Sequence, residues 1–216
     1  MIARLAWLEQ NEIAAALVHA AHHPPQPDDM LGVLSDLMDM TRLTPAAVLI
    51  PLVQREDGWQ VLFTERSAGL THHGGEISFP GGRLDPEDAD PIACALRETE
   101  EEVGIPRQRV EVLGGLTPYI VRSGYHVTPI VGIVPPRQSL VLEVGEVASA
   151  FEIPLTRLAD PDLPQFRKRD LGDGRRVAIP HLPVEEGMIW GATAGMMLNL
   201  LTILTATSGT DRAAAE

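Results

Sequence analysis

Cysteine is almost absent from this sequence, since Cys94 is the only one among 216 residues. A single thiol forms no disulfide within the chain, and it cannot build a cage of thiolate ligands around zinc. Cys94 stands among alanine and leucine residues in a predicted helix, which favours a small buried side chain over a nucleophile. The composition therefore excludes a disulfide scaffold and a zinc–thiolate centre.

Positive charge is also scarce. The chain has 17 Lys and Arg against 30 Asp and Glu, a formal net charge of −13 at pH 7. A general nucleic-acid binder needs a basic stripe that neutralises phosphates, so we expect no nucleic acid as partner. An anionic small-molecule substrate would need local cations or a bound metal ion in so acidic a protein.

Two common catalytic motifs are missing from the sequence. There is no Gly-x-x-x-x-Gly-Lys-Ser/Thr loop, so a nucleoside triphosphatase of the P-loop kind is unsupported. There is no Gly-x-Ser-x-Gly turn either, which leaves Ser-His-Asp catalysis without its usual nucleophile.

Long hydrophobic runs are few. Residues 1–17 are interrupted by acidic and polar side chains, so we expect no signal peptide and a cytoplasmic protein. Residues 187–210 carry no charge and exceed the roughly 20 residues that span a bilayer. Three glycines repeat there at intervals of four: Gly187, Gly191 and Gly195. Because threonines and an asparagine dilute this segment, we predict a buried helix close to a sheet and no membrane partner.

The length suits one domain with a sizeable core. We predict an N-terminal amphipathic helix and loop over residues 1–29, a main domain over 30–207 and a polar tail over 208–216. The apolar stripe of the helix consists of Ile2, Leu5, Ile13, Leu17 and Ala20. Something must cover this stripe. If its own domain covers the stripe, the protein is a monomer. If a second copy covers it, the protein is a homodimer, which the polar loop at 24–29 favours.

Apolar runs bounded by turn residues predict the strands. The clearest pair, residues 46–53 and 59–64, is joined through Asp57-Gly58, a strong hairpin signal. Further strands are predicted at residues 110–116, 127–134, 140–144 and 175–180. Strands mixed with a central and a late helix predict an α/β fold with layers around a mixed sheet.

A cluster of carboxylates lies on one predicted helix, shortly after a pair of glycines. Asp90 is a good N-cap, Pro91 suits the first helical position, and Gly104 is a natural stop. The predicted core face of this helix consists of Ile92, Ala95, Leu96, Thr99 and Val103.

Three glutamates, Glu98, Glu101 and Glu102, fan over an arc of roughly 100° beside that face. They repel one another unless a cation lies among them. Oxygen ligands suit a hard divalent ion, Mg²⁺ or Mn²⁺, which keeps open positions for phosphate oxygens and water. The pattern predicts a metal-assisted phosphate site. The alternative is a solvated acidic face.

These residues resemble the second half of the box that defines the Nudix hydrolases. The matching positions are Arg97, Glu98, Glu101, Glu102, Gly104 and Ile105. Thr99 replaces the usual aliphatic residue, and Gly82 lies one residue too far from Arg97, so the early acidic position falls on Asp88. The resemblance implies a Nudix-like α/β/α sandwich around a mixed sheet and metal-dependent hydrolysis of a diphosphate.

A longer resemblance, over roughly residues 45–205, points to the coenzyme A pyrophosphatase branch. It is carried by Leu-Phe-Thr-Glu-Arg-Ser at 62–67, by Gly75 and by Phe-Pro-Gly-Gly at 79–82, with further matches at 124–129, 146–147, 151–155 and 189–194. That branch also has the longer box, with an acid where Asp88 stands. The resemblance implies cleavage of coenzyme A, or of an acyl or oxidised derivative, to 4′-phosphopantetheine and adenosine 3′,5′-bisphosphate.

Two alternatives stay open. Thr71 stands where the branch usually has an arginine, so another nucleoside diphosphate derivative, such as a dinucleotide, ADP-ribose or a nucleotide sugar, also fits. A non-catalytic module that only binds a nucleotide is the second alternative, although none of the helix glutamates is lost.

The resemblance and the spacing together give the candidate site residues. The catalytic carboxylates are Glu98, Glu101, Glu102 and Glu146, of which the first three would bind the metal ion and one would accept a proton from water. The substrate-binding candidates are Arg66, Gly81, Gly82 and Arg83. The supporting residues are Arg97 and Asp88; Arg97 is expected to orient a glutamate by an ion pair while pointing away from Glu98.

Several neighbours compete for these roles. Glu146 would equally serve as a helix-starting acid, and Glu143 is a competing carboxylate. Arg66 and Arg83 could each be an ordinary surface ion pair. His72 and His73 lie in the loop before the glycine pair and could contact substrate.

Overall fold

The computed structural model describes residues 2–22, 40–70, 73–136, 139–170 and 174–210. The helices are α1 (Ile2–Leu5), α2 (Gln10–His22), α3 (Pro91–Val103), α4 (Leu155–Leu158) and α5 (Gly191–Thr210). The strands are β1 (Thr44–Arg55), β2 (Gly58–Arg66), β3 (Ile77–Ser78), β4 (Gly81–Arg83), β5 (Glu111–Gly115), β6 (Tyr119–Val121), β7 (Tyr125–Val134), β8 (Val147–Pro154), β9 (Gln165–Asp170), β10 (Arg176–Val184) and β11 (Gly187–Trp190). Short 3₁₀ helices cover Met40–Arg42 and Arg107–Arg109.

A mixed sheet lies at the centre of the fold. Its main path is β3-β2-β1-β7-β5, while β4 pairs with β1, β6 with β7 and β8 with β2. Strands β1 and β7 run parallel, and the remaining pairs of this sheet are antiparallel. Strands β9, β10 and β11 form a second, antiparallel sheet.

The central sheet has a hydrophobic core on each face, because successive side chains of a strand point to opposite sides. On β1, Ala47 and Leu49 belong to the core that includes Ala95 and Val103 of α3. The alternate residues of β1 join a larger core with α1, α2, α4 and α5. The predicted α/β/α sandwich around a mixed sheet is therefore confirmed.

The predicted hairpin is confirmed, since β1 and β2 pair across the turn before Gly58. The predicted strand at 140–144 is wrong, although its apolar alternation is real. The amide of Val141 donates to the carbonyl of Val103 at 3.0 Å, and that of Glu143 donates to Glu102 at 3.0 Å. The segment therefore satisfies carbonyls at the end of α3, which have no partner inside the helix.

The N-terminal segment packs on its own domain. The single predicted helix is divided into α1 and α2, and its stripe residues Leu5, Ile13 and Leu17 are at most 1% exposed within the larger core. A second copy is therefore not needed to cover the stripe, and the oligomeric state stays a prediction. The loop at 24–29 lies outside the described residues.

Helix α5 is the buried helix predicted from the uncharged segment. Ala194, Met197 and Leu200 are completely buried, and a side chain at Gly195 would overlap the Tyr119 ring, so glycine permits this close contact. Gly187 lies in β11, however, before the helix. The helix continues to Thr210, which is three residues into the predicted tail. Among the described residues, no helix has the length and hydrophobicity needed to cross a membrane.

Candidate active site

Helix α3 begins and ends where the sequence predicts. The Asp90 carboxylate accepts a hydrogen bond from the amide of Ala93 at 2.8 Å, which caps the helix. At the other end Gly104 has a φ of 72°, a left-handed conformation that favours glycine. The predicted core face is buried along most of its length, although Ile92 in the first turn is 38% exposed. The caps thus fix where the helix begins and ends, and with it the direction in which each glutamate points.

Strand β4 brings the glycine pair, Gly81 and Gly82, against two of these glutamates. The amide of Gly81 donates to Oε2 of Glu102 at 3.2 Å. A side chain at position 82 would overlap the carboxylate of Glu98, so this approach requires glycine. The strand is held because the amide of Leu49 on β1 donates to the carbonyl of Pro80 at 2.9 Å.

Burial changes the acidity of both glutamates. The side chain of Glu102 is 5% exposed, and burial raises its pKa to about 7, against the hydrogen bond from Gly81 and the charge of Arg66. Burial also raises the pKa of Glu98, although Arg97 opposes this. The nearby charge of Glu146 raises the pKa of both. Their charged forms are therefore poorly stabilised by protein groups alone.

Arg66 reaches Glu102 from the end of β2. The pairing of β2 with β8 shifts register between Glu65 and Arg66, and such a bulge re-aims the side chains beside it. Nη1 of Arg66 lies 3.6 Å from Oε1 of Glu102. This separation exceeds a normal hydrogen bond, so Glu102 does not saturate the guanidinium donors. The bulge left no signal in the sequence.

Arg97 connects Asp88 to the helix glutamates. Its Nε and Nη2 donate to the two Asp88 oxygens at 3.1 and 2.8 Å. Its Nη1 donates to Glu98 at 3.0 Å and to Glu101 at 2.9 Å. The hydrogen bonds from Arg97 lower the pKa of Asp88 to about 2. The predicted ion pair is present, but Arg97 does not point away from Glu98, because Asp88 holds its guanidinium beside that carboxylate.

Glu101 differs from the other two glutamates. Its side chain is 56% exposed and pairs with Arg97 one helical turn away. Within the described ranges, no three acidic, histidine or cysteine side chains lie close enough to hold one metal ion. Glu98 and Glu102 fit a hard divalent cation, because both offer carboxylate oxygens beside a third negative charge, and Glu102 is buried while Glu98 is partly buried. Glu101 would have to exchange Arg97 for such an ion.

Glu146 lies in the turn before β8, and the strand predicted at 140–144 does not precede it. Its carbonyl accepts a hydrogen bond from the amide of Ser67 at 2.7 Å, next to Arg66, and its amide bonds to Glu143 at 2.9 Å. Glu146 lies within electrostatic range of Glu98 and Glu102. The competing carboxylate of Glu143 accepts from Gly145 in the same turn. The backbone of Glu143 also contacts Glu102, but of the two carboxylates only that of Glu146 acts on the charges of Glu98 and Glu102.

The side chain of Arg83 projects from the face of β4 opposite to Glu98. It follows Gly82, and its Nε donates to the hydroxyl of Tyr125 at 2.9 Å, with the guanidinium 5.4 Å from the ring centroid. Because neighbouring side chains of a strand point to opposite faces, Arg83 is directed away from Glu98. The prediction that Arg83 joins the glycine pair at the phosphates is therefore not supported.

The loop before the glycine pair is partly described. Thr71, which leaves the choice of substrate open, and His72, a candidate for substrate contact, lie outside the described residues. His73 adopts a φ of 60° and its Nδ1 lies 3.0 Å from a carboxylate oxygen of Glu76. This pairing favours a role for His73 in the turn itself.

Comparison with known proteins assigns most of this region to one family. A model of the NUDIX domain matches residues 43–168. Proteins of Citrobacter koseri and Escherichia coli K12, each named "Uncharacterized Nudix hydrolase NudL", are 44% identical to the chain over 158 residues. The match covers 72% of this chain and 80% of each relative.

Solved structures of the same class resemble part of the chain. A Nudix hydrolase from M. smegmatis, RenU, has a TM-score of 0.46 and 21% identity, and the match covers 54% of this chain and 74% of that one. The NUDIX domain of Shewanella oneidensis NrtR, solved with ADP ribose, has a TM-score of 0.42 and 16% identity over 57% of this chain and 82% of its own.

Proposed function

Because the chain belongs to the Nudix hydrolase family, whose members cleave nucleoside diphosphate derivatives, we propose that its substrate is coenzyme A or an acyl or oxidised derivative. The products would be 4′-phosphopantetheine and adenosine 3′,5′-bisphosphate. The choice of coenzyme A rests on the resemblance of residues 62–67, Gly75 and residues 79–82 to that branch. One observation carries the proposal: two of these separate segments meet at one carboxylate, since Arg66 and Gly81 both contact Glu102.

Nudix hydrolases generally use divalent metal ions. Here Glu98 and Glu102 would hold Mg²⁺ or Mn²⁺, with Glu101 as a further ligand. When bound, such an ion neutralises the diphosphate and lowers the pKa of a coordinated water.

The side chains around these ligands have separate tasks. Arg66 would pair with the anionic diphosphate, since Glu102 leaves its donors unsaturated. The glycine pair lacks side chains, so the Glu98 carboxylate can lie against Gly82 while the Gly81 amide holds Glu102. Asp88 and Arg97 hold Glu98 in place. Glu146 or one of the helix glutamates would accept the proton of the attacking water.

A substrate panel tests the choice of coenzyme A. Coenzyme A, its acyl and oxidised forms, ADP-ribose, a dinucleotide and a nucleotide sugar would each be incubated with Mg²⁺ or Mn²⁺, and the phosphate products separated by chromatography. The highest kcat/KM is expected for a coenzyme A compound. Equal or higher efficiency on ADP-ribose would overturn the proposal, and calorimetric binding without any product would favour the non-catalytic module.

Single substitutions on α3 test the site itself. Glu98→Gln and Glu102→Gln keep the shape but remove a charge, and each is expected to lower kcat by about 10²-fold or more. Glu100→Gln is the matched control, because Glu100 lies on the same helix but pairs with Arg107 at 2.6 Å. Full metal-dependent turnover by Glu102→Gln would show that the assignment is wrong.

A further inference from the structure

The outermost strand of the small sheet carries a cluster of positive charge. Three of the 17 Lys and Arg residues lie on this strand, β9: Arg167, Lys168 and Arg169. Arg175 and Arg176 follow close by, at the start of β10. All six residues of β9 are exposed. The net charge of the whole chain is −13, so this strand differs in sign from the rest of the protein.

Strand β9 also has an open backbone edge. It pairs with β10 along its whole length on one side, and no other described strand pairs with its outer side. The outward N–H and C=O groups are therefore available to a further strand. Phe166, which is 61% exposed, adds an apolar contact on this edge.

The cations of β9 lack partners in the described part of the chain. Arg167, Lys168 and Arg169 form no ion pair with any described residue, whereas Arg176 of β10 lies 3.8 Å from Asp170. Because side chains alternate along a strand, Arg167 and Arg169 lie on one face and Lys168 on the other. A strand added to this edge would meet positive charge on both faces.

We propose that the outer edge of β9 binds an extended acidic segment of another protein, which adds to the sheet as a further strand. The backbone groups of the edge supply the hydrogen bonds, as in other cases of strand addition. Arg167, Lys168 and Arg169 select aspartate and glutamate side chains, and Phe166 contacts an apolar neighbour. The same cations disfavour neutral and basic strands.

Two other occupants fit this edge less well. A second copy that paired through its own β9 would place Arg-Lys-Arg against the same three cations, and like charges opposite one another destabilise a strand pair. A nucleic acid would use the cations but leave the backbone edge without partners.

Fluorescence anisotropy on the full chain tests this proposal. The probe is a labelled peptide of about ten residues that alternates glutamate and valine, which matches the alternation of a strand. The same sequence with lysine in place of glutamate controls for charge. The acidic peptide with alternate backbone nitrogens methylated controls for the backbone, since it keeps its charge but loses edge hydrogen bonds. The acidic peptide is expected to bind at least about tenfold more tightly than either control, and less tightly as salt rises.

A charge-matched pair of variants locates the binding. The combined change Arg167→Gln, Lys168→Gln and Arg169→Gln is expected to weaken acidic-peptide binding by about tenfold or more. The control changes three exposed cations elsewhere: Arg107→Gln, Arg109→Gln and Arg157→Gln. It removes the same charge and is expected to leave binding within about twofold. Circular dichroism and unchanged hydrolysis would show that both variants are folded.

Four results of the binding measurements would overturn the proposal. They are an absence of peptide binding, equal binding by the β9 variant, equal binding of the methylated peptide, and tighter binding of a single-stranded oligonucleotide of equal charge. A self-association that the β9 variant abolishes would likewise replace the acidic partner by a second copy.

Discussion

A methyl group added at Gly82 tests whether the place of Glu98 against the glycine pair matters for hydrolysis. A Cβ at position 82 would overlap both carboxylate oxygens of Glu98. These atoms end a flexible side chain, so the carboxylate can move aside while the backbone stays in place. We expect Gly82→Ala to fold normally and to lose activity. A misplacement of about 1 Å can cost roughly 10²-fold in rate, so kcat/KM should fall by about that factor.

Gly81→Ala, by contrast, should lower the stability of the fold. A Cβ at position 81 would overlap the carbonyl oxygen of Ala47 and lie 2.6 Å from Cα of Val48, and this backbone cannot move aside. Its φ of 157° also strains a residue with a side chain. Overpacking of this kind costs about 1–3 kcal/mol, which lowers the Tm of a chain of this size by roughly 3–10 °C.

Thermal unfolding by circular dichroism and steady-state hydrolysis of the best substrate would separate the two effects. Gly69→Ala is the control, since a Cβ there has no atom within 4 Å, and neither Tm nor kcat/KM should change. If Gly82→Ala kept an unchanged Tm and a kcat/KM within about threefold of the parent, then Glu98 would not need this position, and the reasoning would be refuted.

Three further experiments probe the core and the ion pairs. Asp88→Asn should lower the free energy of unfolding near neutral pH by about 1–2 kcal/mol. The fold lowers the pKa of Asp88 from 3.8 to about 2, so its contribution is complete above about pH 4 and is lost as the pH falls through about 2. Urea titrations of parent and variant should therefore converge in acid, and a constant difference would contradict this. Burial raises the pKa of Cys94 to about 12, so a maleimide near pH 8 should label the denatured chain and not the native one, and rapid native labelling would contradict this. Leu17→Ala should lower the free energy of unfolding by about 2–4 kcal/mol, because Leu17 is 1% exposed. Val18→Ala, at a residue 57% exposed, should change it by no more than about 0.5 kcal/mol. Equal effects of the two substitutions in urea titrations would show that α2 is not part of the core.

The sequence by itself determined the features that depend on neighbours along the chain. The ends of α3 follow from Asp90, Pro91 and Gly104, because capping is a local hydrogen-bonding requirement. The hairpin of β1 and β2 follows from Asp57-Gly58, because the conformation of a tight turn is also set by adjacent residues. The family could also be recognised, since the box is a nearly contiguous motif. These local signals were enough for the α/β/α architecture and for the helix that carries the glutamates.

Only the tertiary structure decided how distant segments meet. The alternation at 140–144 predicts a strand, but its amides bond instead to carbonyls at the end of α3, which the chain brings beside it. The bulge that directs Arg66 to Glu102 depends on the register with β8, about 80 residues later. Arg83 faces away from Glu98, and the N-terminal stripe is covered by its own domain, because strand alternation and packing are fixed only once the sheet forms. Pairing, register and burial join residues far apart in the chain, and local sequence patterns do not encode them.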